Sequence, residues 1–127
     1  MFDIDLMSRV PIYEQLYRRV TLLVMKGVLK ENDKLPSVRA LATDLGVNPN
    51  TVAKAYTLLE RDGFICTLAG RGCFVAKPDT LLAQEQLLSG FDEAANRALD
   101  AGIGREVLHK RIDSISDNKA SKEEKKL

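Results

Sequence analysis

Apolar residues recur over the stretch 12–24 with a helical period. Ile12, Leu16, Val20, Leu23 and Val24 fall at i, i+4, i+8, i+11 and i+12, one stripe on one helix. Pro11 opens that helix at a favoured first-turn position, and Gly27 ends it. Ahead of it, Phe2–Leu6 alternates apolar and acidic residues, the pattern of a weak strand or an extended arm. Lys30–Leu35 reads as a polar loop, and Leu35-Pro36 holds the chain extended just before Ser37. Ser37 is the expected N-cap of a short second helix through Asp44, with Val38, Leu41, Ala42 and Leu45 facing inward. Gly46 suits the left-handed residue of a tight turn. Asn48 then caps a third helix, with Pro49 at its first position and Gly63 beyond its end. The inner face of this helix is Val52, Ala55, Tyr56 and Leu59. Its opposite face carries Asn50, Lys54, Thr57 and Arg61, a polar stripe without a carboxylate.

Beyond Gly63 the period changes. Phe64–Leu68 and Gly72–Ala76 read as two short strands joined through Ala69-Gly70-Arg71, a β-hairpin. After Pro78 comes a longer amphipathic helix with Leu81, Leu88, Phe91, Ala95, Ala98 and Leu99 on one side, broken by Gly102 and Gly104. A last helix, Arg105–Ser116, carries Leu108, Ile112 and Ile115, and Asp117–Leu127 reads as a polar, disordered tail. The fold class is therefore mainly α with a small β-hairpin. The expected domains are a head over residues 1–77, a helical arm over 78–116 and the tail over 117–127.

The 127 residues, 45% hydrophobic and 29% charged, describe a globular chain and exclude a collagen-like repeat or a disulfide-packed toxin. No run approaches the roughly 18 apolar residues of a membrane span, and no basic-then-apolar leader opens the chain, so a cytoplasmic protein is expected. The net charge of +1 hides an asymmetry. Residues 1–78 hold 11 basic and 8 acidic side chains, whereas residues 79–127 hold 8 and 10. A mild basic excess in the head permits a polyanion partner. His109, Cys66 and Cys73 are one short of the four ligands of a structural zinc site, and no glycine-rich phosphate loop is present. No catalytic residue, metal or cofactor is expected, and an enzyme is the weaker reading.

Helix, helix, tight turn, helix and hairpin, in that order, make a winged helix-turn-helix. Ala42 is small where the second and third helices cross, Gly46 lies four residues on in the turn, and Val52 lies six further to plug the space between them. Any three-helix core uses small residues at crossings, so these spacings alone leave DNA binding and plain packing both open. The carboxylate-free stripe weighs towards DNA, because a surface that docks on phosphates must avoid acidic side chains.

Four stretches make the likeness specific. These are Pro11-Ile12-Tyr13-Glu14-Gln15, Leu35–Ala42, Leu45-Gly46-Val47-Asn48-Pro49-Asn50-Thr51-Val52, and Gly70-Arg71-Gly72-Cys73-Phe74-Val75. Together, over about residues 10–77, they resemble the GntR family of bacterial transcription regulators. The Asn-Pro-Asn-Thr turn and short C-terminal part resemble its small YtrA-like subfamily.

The resemblance implies a DNA-binding set of Ser37, Arg39, Asn48, Asn50, Thr51, Lys54, Gly70 and Arg71. Arg39 matches an arginine reaching a guanine edge in the major groove; the alternative is a solvated arginine or an ion pair with Asp44 or Glu31. Ser37 matches a phosphate contact or serves only as a cap. Asn48 is foremost a cap, and Asn50 the better candidate for base readout. Lys54 meets phosphate or base, or is merely solvated. Gly70 and Arg71 match a wing tip entering a minor groove, or form an ordinary turn. Relatives often carry arginine or threonine where this chain has Pro49 or Ala53, so base specificity does not transfer.

Tyr13 and Tyr17 either touch phosphate or a partner subunit, or half-bury on a helix flank. A two-residue turn at Ala69-Gly70 would set Cys66 opposite Cys73, although cytoplasmic thiols usually stay reduced.

Leu88, Phe91, Ala95, Leu99, Leu108 and Ile112 need a surface to cover them. Packing in cis is one solution; the resemblance favours a homodimer with two DNA-binding heads and inverted half-sites. Fewer than 50 residues follow the wing, too few to enclose a sizeable small molecule within one subunit, so any small-molecule effector would bind between subunits or between head and arm. The implied function is a homodimeric repressor on double-stranded operator DNA, with no membrane partner. The competing reading is a winged-helix protein-binding adaptor without DNA, and a thiol enzyme is a distant third.

Overall fold

The computed structural model describes residues 2–77 and 80–126, with side chains of the second stretch described from 83 to 122. Seven elements run in order: α1 (Ile12–Met25), α2 (Val38–Leu45), α3 (Pro49–Arg61), β1 (Ile65–Leu68), β2 (Gly72–Val75), α4 (Thr80–Asp100) and α5 (Arg105–Lys126). Two compact units divide this chain, Met1–Gln86 and Leu87–Leu127. The boundary falls inside α4, not at the change of composition near Pro78. Ala83, in the second turn of α4, is buried in the head's core and carries the first unit past the wing.

Each helix of the head is set by its ends as well as by its stripe. Ser37 caps α2, its Oγ accepting from the Ala40 amide at 3.1 Å, and Gly46 closes it at φ +67°. A side chain at that φ would bring Cβ against the following carbonyl, so glycine is the residue that makes the tight turn inexpensive. Asn48 caps α3 through Oδ1, which accepts from the Asn50 amide at 2.8 Å, with Pro49 inside the first turn. The inner face of α3 is buried throughout: Val52, Ala55, Tyr56 and Leu59. They meet Leu16, Val20, Leu23 and Val24 of α1 and Leu41 and Ala42 of α2 in one core, completed by Leu29, Leu35, Phe64, Ile65 and Val75. Ile12, Val38 and Leu45, expected inside, are half-buried at the margins.

The hairpin pairs Ile65 with Val75, Cys66 with Phe74, Thr67 with Cys73 and Leu68 with Gly72. The connection is a three-residue turn, with the Arg71 amide donating to Leu68 O at 2.9 Å. The Cys66–Cys73 juxtaposition is therefore corrected: Cys73 lies opposite Thr67. Cys66 is one position away, and side chains alternate faces along a strand. Both thiols are free, Cys73 buried and Cys66 half-buried. Burial pushes the Cys73 thiol above its ordinary value.

The segment expected as a polar loop is partly sheet. The Asn32 amide donates to Val75 O, the Val75 amide to Asp33 O and the Leu35 amide to Cys73 O, each at 2.9 Å, with a bridge between Lys34 and Phe74. These few residues are too short to display alternation, but they cover the outer edge of β2, whose backbone groups would otherwise lie unpaired.

The N-terminal arm is not a strand: residues 2–5 have no regular secondary structure, and a turn follows, with the Ser8 amide donating to Asp5 O at 3.3 Å. Phe2 and Ile4 pack on the core, and the Gln15 side-chain amide pins the backbone at Asp5 and Val10. Its Oε1 accepts from the Asp5 amide at 2.8 Å, while Nε2 donates to Asp5 O at 3.0 Å and Val10 O at 2.8 Å.

In the second unit, α5 continues to Lys126, so residues 117–126, expected as a disordered tail, are helical. Lys, Glu and Ala supply good helix propensity there without an apolar stripe to announce it. Among the described residues no helix is long and apolar enough to cross a membrane.

One polar cluster locks α1 to the end of α3. Tyr17 Oη donates to Asp62 Oδ2, and Arg61 donates to the same carboxylate from Nε at 2.9 Å and Nη2 at 3.2 Å. Asp62 is only 7% exposed, and Tyr17 stacks edge-on against Phe64 at 6.2 Å between centroids. Burial raises the Asp62 carboxyl, but hydrogen bonds from Arg61 and Tyr17 and the Arg61 charge outweigh it and hold the pKa below 3.8. The native state thus binds the Asp62 proton less readily than the unfolded chain does. The resulting stabilisation is complete above 3.8 and is lost as pH falls through the native value. Acid denaturation followed by circular dichroism should show Asp62→Asn less stable than wild type at neutral pH and less sensitive to acid. At the centre of the core, Leu59→Ala should cost about 2–5 kcal/mol in a urea melt.

Candidate nucleic-acid interface

The fully packed inner face of α3 leaves its other side to solvent, and the loops before α2 and α3 decide which polar groups stand beside it. Tyr56 Oη donates to Pro36 O at 2.7 Å, tying α3 to the residue just before Ser37. Burial raises the Tyr56 phenol above its ordinary value, so it stays protonated and able to donate. Arg39 follows in the first turn of α2. It is exposed, and among the described residues it forms no ion pair with Asp44, Glu31 or any other carboxylate. Its guanidinium keeps all its donors for an outside acceptor.

Ser37 and Asn48 are exposed, and each spends one oxygen on its cap. The Ser37 hydroxyl proton and the Asn48 amide NH2 remain able to donate outward. Asn50 is exposed and Thr51 half-buried at the start of α3, where helix N-termini favour anions. At the wing, Gly70 adopts φ +75° with open space where a side chain would stand, and Arg71 is exposed beside it without an ion pair among the described residues.

The polar stripe expected along α3 is divided in two. Lys54 leans towards α1, its Nζ 3.9 Å from the centroid of the Tyr13 ring, a cation–π contact. Arg61 turns the same way, onto Asp62. Tyr13 and Tyr17 are thus half-buried and engaged with this flank of α3. Thr57 lies on the other flank, facing the wing, with Ala53 and Glu60. Together with Ser37, Val38, Tyr56, Thr67, Gly72 and Cys73 they line a groove of about 350 Å³. Ala53 enters the sequence-based expectations only as a position where relatives differ, and Glu60 does not enter them. Their spacing with Thr57, i, i+4 and i+7, is the signal that places them on one face, but an alanine and a carboxylate break the polar, acid-free pattern of the stripe.

The second unit presents the other set of candidate residues. Leu88, Phe91, Leu99 and Ile112 are all exposed in the single chain, with Phe91 at 49%, while Ala95 and Leu108 are half-buried. Leu81, expected on this apolar side, has its side chain outside the described residues. Between α4 and α5, Leu88, Phe91, Ile112, Ile115, Ser116 and Lys119 line an open apolar groove of about 560 Å³. Neighbouring apolar side chains left this open are characteristic of a surface that another surface covers.

Known proteins share this arrangement. The sequence pattern of the bacterial regulatory proteins, gntR family, matches residues 12–75. The HTH-type transcriptional repressor YtrA of Bacillus subtilis (strain 168) is 43% identical over 120 residues, spanning 91% of this chain and 92% of YtrA. Among solved structures, a transcriptional antiterminator from Listeria monocytogenes EGD-e superposes with a TM-score of 0.69 at 38% identity, over 91% of this chain and 90% of that one. YtrA from Sulfolobus acidocaldarius, a GntR-family transcription factor, superposes with a TM-score of 0.56 at 35% identity, over 91% and 97%. A head of three helices and a wing with its outward face open, and a likeness running nearly end to end, lead to one assignment: the chain belongs to the gntR family of bacterial regulatory proteins, the DNA-binding transcription regulators of winged helix-turn-helix fold.

Proposed function

We propose that this protein is a homodimeric transcriptional repressor that occludes a promoter by binding an inverted-repeat operator. The α3 helix enters the major groove with Arg39 beside it, and the wing tip, Gly70-Arg71, enters the adjacent minor groove. The observation that carries this reading is the pair of exposed arginines, Arg39 and Arg71, neither paired with a carboxylate among the described residues. Their charges are available to phosphates and base edges without first breaking an internal bond. Ser37, Asn48, Asn50 and Thr51 position the head on the backbone, with Asn50 the base reader among them. Lys54 approaches phosphate from its perch on Tyr13. Repression is the named activity of the Bacillus relative.

Dimerisation through α4 and α5 accounts for the exposed Leu88, Phe91, Leu99 and Ile112, with Ala95 and Leu108 at the centre of the covered face. A two-fold pair of heads then reads two half-sites of opposite sense.

Duplexes selected from random DNA by the full chain should share an inverted repeat, and affinity for them should fall steeply with salt; a protein-binding adaptor would respond little. Arg39→Ala should lose about 1–3 kcal/mol of operator affinity and relax preference at one base position, as read from binding isotherms. An unchanged isotherm would remove Arg39 from base readout. Phe91→Asp should shift the chain from dimer to monomer in sedimentation velocity and weaken binding to the full operator far more than to a half-site.

A further inference from the structure

The groove between α3 and the wing contains one carboxylate that the proposed docking on DNA does not use. Glu60 lies at its edge, three residues beyond Thr57, with Ser37 and Val38 across the groove and Thr67 and Gly72 on the hairpin side. Its Oε2 accepts from Thr67 Oγ1 at 3.3 Å, which holds the acid towards the wing. No lysine or arginine pairs with Glu60 among the described residues. Its negative charge is felt inside the hairpin: burial lifts the Cys73 thiol, and the field of Glu60 adds to that rise.

With α3 in a major groove and the wing in the neighbouring minor groove, one sugar-phosphate strand separates them and passes between helix and hairpin. That path runs along the groove Glu60 lines. Every other chemistry-bearing side chain proposed for the interface is neutral or cationic, so this single acid works against the rest. We propose that Glu60 is an affinity-limiting residue whose unpaired carboxylate faces the passing DNA strand. It repels the phosphates of any sequence equally and weakens binding without choosing between bases. The effect lowers occupancy on operator and arbitrary DNA alike and leaves the choice between them to the base contacts of Arg39 and Asn50. This role of Glu60 rests on the docking pose proposed for α3 and the wing.

The test compares the wild-type full chain with Glu60→Gln and Glu60→Lys, by fluorescence anisotropy on a selected operator duplex and a scrambled duplex over a range of salt. Glutamine keeps the volume and an acceptor for Thr67, and the exposed position tolerates both changes, which thermal melts check. For one solvated charge beside a phosphate strand, Glu60→Gln should tighten both duplexes about three- to tenfold. The slope of log affinity against log salt should steepen by up to about 0.9. The ratio of operator to scrambled affinity should stay within about twofold, and Glu60→Lys should tighten both further. Unchanged or weakened binding of both variants would overturn the proposal. So would a gain confined to one base position, which would make Glu60 an acceptor for a base amino group instead. A wild-type chain that selects no DNA would defeat the proposed function itself, whereas selective wild-type binding with unresponsive variants defeats only the role of Glu60.

Discussion

Burial of one side of α3 is the constraint on which the rest of the molecule depends. Val52, Ala55, Tyr56 and Leu59 are held on two fronts, by the stripe of α1 and by Leu41 and Ala42 of α2. A 13-residue helix is marginal by itself in water, so this packing keeps it formed. It also fixes the rotation of the helix about its axis. The residues left outside are therefore presented in one orientation, and the recognition surface proposed for them is a by-product of the core.

The polar links extend the same constraint outward. Tyr56 reaches Pro36 and so relates α3 to the entrance of α2, where Ser37 and Arg39 stand. Tyr17 and Arg61 converge on Asp62 and relate the far end of α3 to α1. Gln15 secures the N-terminal arm with three hydrogen bonds from one amide. Tyr56, Tyr17 and Arg61 pair groups that are wholly or partly buried, and each of these side chains, Gln15 included, stabilises a relation between segments that apolar contacts alone specify loosely.

The elements with strong periodicity or strong punctuation were legible in the sequence. Ser37, Gly46 and Asn48 have side chains or conformational freedom that act within three residues, so the spelling of the turn is local and readable. The inner face of α3 emerged in full from its period. What escaped was decided by distant partners. The pairing of Asn32–Leu35 with β2 depends on a strand some 40 positions away. Lys54 and Thr57 belong to one stripe by spacing, yet Tyr13 draws one towards α1 while the wing receives the other. The hairpin register turned on a single residue of turn length, and that sufficed to move Cys73 from Cys66 to Thr67. The helicity of residues 117–126 carries no amphipathic signature, and a composition that favours solvent does not by itself distinguish an exposed helix from disorder.

The strip that flanks β2 has a mechanical consequence. Asn32–Leu35 bonds to β2 and then runs, through Pro36 alone, into Ser37 and the turn that bears Arg39. β2 begins at Gly72, directly after Arg71. The two arginines are thus the ends of a short stiff bracket, spliced by backbone hydrogen bonds. In the docking proposed above, strain at one arginine would reach the other through this strip, whose Leu35 and bonded partners Cys73 and Val75 belong to the core itself, so width in one groove and sequence in the next would be sensed by a single piece of protein.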